Sequence, residues 1–187
     1  MRYKFIIIWA ILLVLIYSAE YHVDTEADNK VKFISKTTLE EFEGITNQID
    51  GYVVWENEIL QANKFYMEVP LETLDTGIGL RNRHMRNNSL ETDKYPFAKY
   101  QGSIITADTT ENDTLNLRLK GEFTIHGVTQ MREIDVKAVQ NSEGYVANAD
   151  FNINMKNYNI NVPDVMIMKV NENIMVKVQV YFYKVEE

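Results

Sequence analysis

The residues "TLNLRLKGEFTI" (Thr114 to Ile125) alternate without interruption. Leu115, Leu117, Leu119, Gly121, Phe123 and Ile125 stand on one side, and Asn116, Arg118, Lys120, Glu122 and Thr124 on the other. A period of two sends successive side chains to opposite faces of a sheet, so this stretch is a strand with one apolar and one charged face. A helix would scatter the same leucines around its whole circumference. His126-Gly127 follows as a two-residue turn signal. Alternation then resumes, with Ile134, Val136 and Ala138 against Glu133, Asp135 and Lys137. Two such strands joined by a tight turn commit this part of the chain to an antiparallel sheet with unlike faces.

The same period recurs through the sequence. "VKFIS" places Val31, Phe33 and Ser35 together. "KFYMEVPL" opposes Phe65, Met67 and Val69 to Tyr66 and Glu68. "FAKYQGSIITA" aligns Ala98, Tyr100, Gly102 and Ile104. "YVANADFNIN" carries Tyr145, Ala147, Ala149, Phe151 and Ile153 on its apolar side, and "IMVKVQVYF" carries Ile174, Val176, Val178, Val180 and Phe182. "ITNQIDGYVVW" (Ile45 to Trp55) reads as one strand in which Gly51 marks a bulge or sharp bend. Thr37 to Gly44 reads as a single helical turn or a bulged extension. Leu80 to Leu90 is the one short helix, and residues 157–171 are irregular around Pro163. The fold expected is therefore all-β: a closed antiparallel barrel of about eight strands with one short helical insertion. Closure removes the sheet edges that would otherwise pair between molecules.

With 187 residues, one domain is expected. Arg2 and Lys4 precede an unbroken apolar run of 13 residues, Phe5 to Tyr17. That run is short for a membrane span of roughly 20 residues and suits a signal-peptide core. Residues 1–19 are expected to be a signal peptide ending at Ala19, with an uncleaved anchor as the alternative. Residues 20–29 are expected to be a polar tether carrying a solvated His22, and residues 30–187 the barrel domain. The expected location is periplasmic or secreted. There is no cysteine, so no disulfide supports the fold. The chain has 19 basic and 27 acidic residues, and loss of Arg2 and Lys4 with residues 1–19 takes the net charge from −8 to −10. Such a surface repels phosphate backbones and is not drawn to anionic headgroups by its overall charge, so nucleic acid is not an expected partner. Membrane contact is expected only through ligand exchange or an uncleaved N-terminal segment.

The inward faces are Leu, Ile, Val, Phe, Met and small residues, with nothing titratable in the clean runs. Periodicity alone leaves two readings open: a filled core, or a lining for an apolar chain. Gly102, Gly121, Ala138, Ala147 and Ala149 favour the second, because small inward residues leave volume that an apolar ligand can fill.

Three stretches carry a resemblance. "LETLDTGI" (Leu71 to Ile78) is followed by Arg81-Asn82-Arg83-His84 and by Tyr95-Pro96 opening a strand. "GEFTIHGVT" (Gly121 to Thr129) comes next in order, and "VNENIMVKV" (Val170 to Val178) extends the match to the last strand. This pattern resembles the YceI-like family of lipid- and polyisoprenoid-binding proteins, over about Val31 to Lys184. The resemblance implies a lipocalin-like barrel whose interior holds a long isoprenoid or fatty chain, with no shared catalytic reaction. The sequence departs from the family pattern at Asn82 (usually Asp), Gln130 (often Lys) and Leu90 (commonly aromatic), which bears on headgroup preference more than on fold.

No constellation for chemistry competes with this. There is no Cys and no His-x-x-x-His pair, and His84 lies among Arg81, Arg83 and Arg86, a poor setting for a cation. No nucleophile motif is present. His126 reads as a hydrogen-bonding turn residue. No metal, cofactor or catalysis is expected. The arginine cluster has two readings: salt bridges to Asp75 or Asp93, or a clamp on an oxygen-bearing headgroup. The expected function is binding a long apolar lipid, such as a polyisoprenoid or fatty chain, for carriage or storage. The alternatives are a filled barrel that serves as an envelope protein-interaction module and an envelope enzyme. Phe65, Met67, Leu117, Leu119, Phe123, Ile134, Val136, Phe151, Val178 and Val180 are expected to line the tunnel, with Arg81 and His84 at its mouth.

Overall fold

The computed structural model describes residues 18–37, 40–56, 62–110, 113–161, 164–165 and 168–186. The strands are β1 (Ser18–Val23), β2 (Lys30–Lys36), β3 (Glu41–Thr46), β4 (Asp50–Glu56), β5 (Lys64–Pro70), β6 (Phe97–Thr109), β7 (Thr114–Ile125), β8 (Val128–Gln140), β9 (Gly144–Asn154), β10 (Asp164–Val165), β11 (Met168–Lys169) and β12 (Asn173–Lys184). Helix α1 (Gly79–His84) continues into a wider turn, Met85–Ser89. Among the described residues no helix is long and apolar enough to cross a membrane.

Eight antiparallel strands close into a barrel in the order β1-β4-β5-β6-β7-β8-β9-β12, and β12 returns to β1. The closing pairs are Tyr21↔Lys184 and Val23↔Phe182 on one side of β1, and Ala19↔Trp55 and His22↔Tyr52 on the other. The expected tether is thus the strand that closes the barrel, at least as far as Val23. Its short alternation among acidic residues hid it. His22 is not simply solvated: its Nε2 lies 2.7 Å from Glu20 Oε1, and its ring lies between Tyr52 and Tyr183.

β1 occupies only the end of the β12 edge. Further along, β2 pairs with β12 from Met175↔Ile34 to Gln179↔Lys30, and β3 pairs with β2. Residues 41–44, expected in a helical turn or bulge, belong to β3. The single strand expected over 45–55 is two, β3 and β4, separated at Asn47–Ile49. Thr46 makes the break. Its hydroxyl accepts the Gln48 N–H and bonds Thr73, so the chain turns instead of continuing. Gly51 begins the recovered alternation at φ 151°, and a Cβ there would lie 2.1 Å from the Tyr66 carbonyl oxygen. Only glycine fits that approach.

The β7–β8 turn is the expected one. His126 and Gly127 both have positive φ, 52° and 71°, as a two-residue hairpin turn requires. Outside the barrel, Arg118–Asp135, Lys120–Glu133 and Lys177–Asp150 form cross-strand ion pairs. Inside, Phe65, Tyr100, Ile104, Phe123, Ile134 and Tyr158 belong to the main buried cluster. A short 3₁₀ turn, Met155–Tyr158, opens this region, and farther on β10 and β11 pair with each other. Pro163 and residues 1–17 lie outside the described residues.

Candidate functional site

The barrel encloses a cavity of about 860 Å³, within the roughly 300–1,000 Å³ common for ligand sites. It is walled by the apolar faces the alternation defines. β5 contributes Phe65 and Met67, β7 contributes Leu117, Leu119 and Phe123, and β8 contributes Ile134 and Val136. Phe151 comes from β9, and Val178 and Val180 from β12. All the expected lining residues border this one space, and Arg81 and His84 border it at the helical insertion. Sequence reasoning missed Tyr21, Phe33, Ser35, Phe42 and Trp55, which also border it. Tyr21 lies in the stretch that reads as a tether, and Phe42 in the stretch that reads as a helical turn or a bulged extension. Phe33 and Ser35 lie on the apolar side of a strand whose alternation is short.

The small residues act in two ways. Ala138, Ala147 and Ala149 border the cavity, as expected of side chains that leave room. Gly102 and Gly121 serve the backbone instead. They oppose each other across β6 and β7, and a Cβ on either would lie 2.0–2.2 Å from a carbonyl oxygen of the facing strand. The Tyr100 hydroxyl shares its proton between the Leu119 carbonyl, two residues before Gly121, and the carbonyl of Arg132, the partner of Gly121 on β8. Burial pushes that phenol well above its usual range, so it stays protonated.

One end of the barrel is packed by the insertion and the 3₁₀ turn. Leu71, Leu74, Leu90, Met155 and Ile160 are buried there. His126 fastens this packing: Nε2 lies 2.7 Å from Glu91 Oε2, Nδ1 lies 3.1 Å from the Tyr158 carbonyl, and the ring packs edge-on to Tyr95. The wall between β3 and the insertion is completed by a two-way backbone exchange, Ile45 N–H to the Asp75 carbonyl and Asp75 N–H to the Ile45 carbonyl, both 2.9 Å. Beside this seam, Ile78 and Leu80 are 52% and 60% exposed and also border the cavity, so the interior reaches the surface at α1.

The arginine cluster has other partners than expected. Arg81 Nε and Nη2 donate to the Thr76 hydroxyl and carbonyl at 3.0 and 2.8 Å. Nη1 reaches Glu40 at 3.4 Å, and the guanidinium carbon lies 4.4 Å from the Phe42 ring centre. Arg86 donates to the Leu74 carbonyl. Asp75, proposed as an arginine partner, is held by Asn82 Nδ2 at 2.6 Å and by the Gly77 N–H at 2.8 Å. Those two donors keep its carboxyl below the usual range, the Asn82 bond first. Asn82 Oδ1 meanwhile accepts from the Thr76 N–H and hydroxyl. An amide can donate to one group while accepting from another, which an ionised aspartate facing Asp75 cannot do.

A closed eight-stranded barrel around an apolar cavity, with a helical insertion across one end, defines a lipocalin-like protein. The sequence matches the YceI-like domain over residues 21–182, and the chain belongs to that family. It is 26% identical over 152 residues to the protein YceI of Escherichia coli O157:H7, covering 73% of this chain and 77% of that one. It is 24% identical over 155 residues to a UPF0312 protein of Pectobacterium atrosepticum, covering 76% and 77%. Among solved structures, BcnA of Burkholderia cenocepacia superposes with a TM-score of 0.69 at 19% identity, covering 84% of this chain and 98% of that one. A polyisoprenoid-binding domain from Saccharophagus degradans, implicated in plant cell wall breakdown, superposes with a TM-score of 0.67 at 15% identity, covering 87% and 97%.

Proposed function

We propose that this protein binds a long apolar lipid inside its barrel, a polyisoprenoid or fatty chain, and carries or stores it without transforming it. The observation that carries this reading is the cavity. An apolar space of about 860 Å³ left unfilled deprives its lining of packing contacts, which opposes folding. A space walled mainly by apolar side chains is poorly filled by water, which needs polar partners. An apolar chain fills it and removes the penalty. The polyisoprenoid-binding domain of similar fold supports the same ligand class. The competing reading, a filled barrel acting as an interaction module, requires an interior without such a space. The test is organic extraction of the purified protein followed by mass spectrometry. A lipid at about one per chain is the expected result, and a lipid-free protein of undiminished stability would overturn it.

Export belongs to the same proposal. The run from Phe5 to Tyr17 behind Arg2 and Lys4 directs the chain out of the cytoplasm, and cleavage after Ala19 releases it. Such a cut leaves Glu20, Tyr21 and His22 to pair with Val54, Val53 and Tyr52. N-terminal sequencing of protein from a membrane-free fraction is expected to begin at Glu20. Recovery of only full-length chain, and only from membranes, would mean that the segment is an anchor.

A further inference from the structure

Ser35 breaks the apolar lining. It sits on β2 with 2% exposure and borders the cavity, and its hydroxyl oxygen is buried without a hydrogen-bond partner. A hydroxyl can donate one hydrogen bond and accept two, and leaving it unmet in an apolar setting opposes folding. Its surroundings offer little. Its cross-strand neighbour is Phe42, and Phe33, on the same face of β2, meets Phe42 edge to face at 6.3 Å. Phe33 lies over Gly44, where a Cβ would come within 2.2 Å of its ring, so β3 is shaped to keep that aromatic in place. The nearby polar side chains are already occupied. Thr37 exchanges hydrogen bonds with Glu40, and Arg81 donates to Thr76 and Glu40.

We propose that the cavity's occupant is an uncharged, oxygen-headed lipid, an alcohol or its carbonyl counterpart, whose oxygen hydrogen-bonds the Ser35 hydroxyl. Its chain runs along the barrel toward Leu115 and Tyr145. This rests on the lipid-binding reading above and narrows it to a class of head. An ionised phosphate or carboxylate beside Ser35 would lose its hydration against Phe33 and Phe42, with the Arg81 guanidinium already engaged by Thr76 and Glu40, and that loss far exceeds one hydroxyl contact. A neutral oxygen loses little and satisfies Ser35. From Leu115 to Ile125 the wall of β7 runs about 33 Å at roughly 3.3 Å per residue, ample for an extended chain below the head.

The test uses the full protein, stripped of endogenous lipid, and three probes of equal length: 1-hexadecanol, hexadecane and hexadecanoate. Affinities are read by displacement of a fluorescent apolar dye. Hexadecanol is expected to bind about three- to tenfold more tightly than hexadecane, the worth of one neutral hydrogen bond, with hexadecanoate weakest. Ser35→Ala is expected to erase the advantage of the alcohol and leave hexadecane binding unchanged, and the hydrocarbon therefore also reports that the variant is folded. An alcohol advantage that survives in Ser35→Ala, or tightest binding by hexadecanoate, overturns this inference and leaves lipid binding standing. If none of the three binds, lipid binding falls and this inference falls with it.

Discussion

Arg81 divides its guanidinium between two elements. Two of its donors hold Thr76 in the turn before α1, and the third reaches Glu40, just ahead of β3 in the β2–β3 hairpin, while the plane rests near Phe42. The residue ties the insertion to the hairpin beside the seam where Ile45 meets Asp75. A fork already engaged on three sides favours a fastening role over that of a headgroup clamp. Arg81→Ala is therefore expected to lower stability by about 1–2 kcal/mol while leaving lipid content per folded molecule unchanged. Melting temperature and extracted lipid measured on the same variant check this. Loss of lipid at an unchanged melting temperature would restore the clamp. Asn82 acts at the same scale: its amide joins Asp75 to Thr76, two groups that need opposite hydrogen-bonding partners.

At the scale of the element, β7 is defined from both faces. Its outer side pairs Arg118 with Asp135 and Lys120 with Glu133 directly across the ladder. Each such exposed pair contributes at most about 1 kcal/mol, yet a one-residue slip would break both and turn the leucines outward. The inner side places Phe123 at 6% exposure among Tyr100, Phe151 and Tyr158. Phe123→Asp buries an unpaired charge and is expected to cost about 3–5 kcal/mol. Glu122→Gln, one residue away on the exposed face, is expected to change stability by less than about 0.5 kcal/mol. Chemical denaturation of both variants measures the contrast, and similar losses would refute the register. Gly102 and Gly121 belong to this scale too, since either as alanine drives a Cβ into the opposite backbone.

For the whole molecule the decisive feature is closure by a short strand. β1 joins β4 to β12, and on its outer face the rings of Tyr183, His22, Tyr52 and Tyr66 follow one another across the seam at 6.0–6.2 Å. Without β1, the β4 edge and the end of the β12 edge present unpaired N–H and C=O groups, which invite pairing between molecules. Removing residues 1–23 is expected to produce oligomers and a broadened, lowered melting transition. Removing residues 1–17 alone is expected to leave a monomer that melts like the processed protein. Size-exclusion chromatography and thermal denaturation distinguish the two, and a monomeric, fully stable 1–23 deletion would show that closure does not depend on β1.

The sequence alone determined the long strands, because a period of two is local and every residue of β7 or β12 reports it. It determined the His126-Gly127 turn, whose backbone demands positive φ at both positions, and the side of each strand that faces inward. It did not determine β1 or β3, which are short and mixed in composition and become strands only because a neighbouring edge requires a partner. It did not separate the glycines that let backbones touch from the alanines that border the cavity, since both read simply as small. It placed Arg81 at the mouth but not its partners, because Thr76 and Glu40 come to it through the insertion and the hairpin. Ser35 lay on the correct face from the start. Only the assembled barrel, which surrounds it with phenyl rings and occupies the nearby polar groups, leaves its hydroxyl unmet.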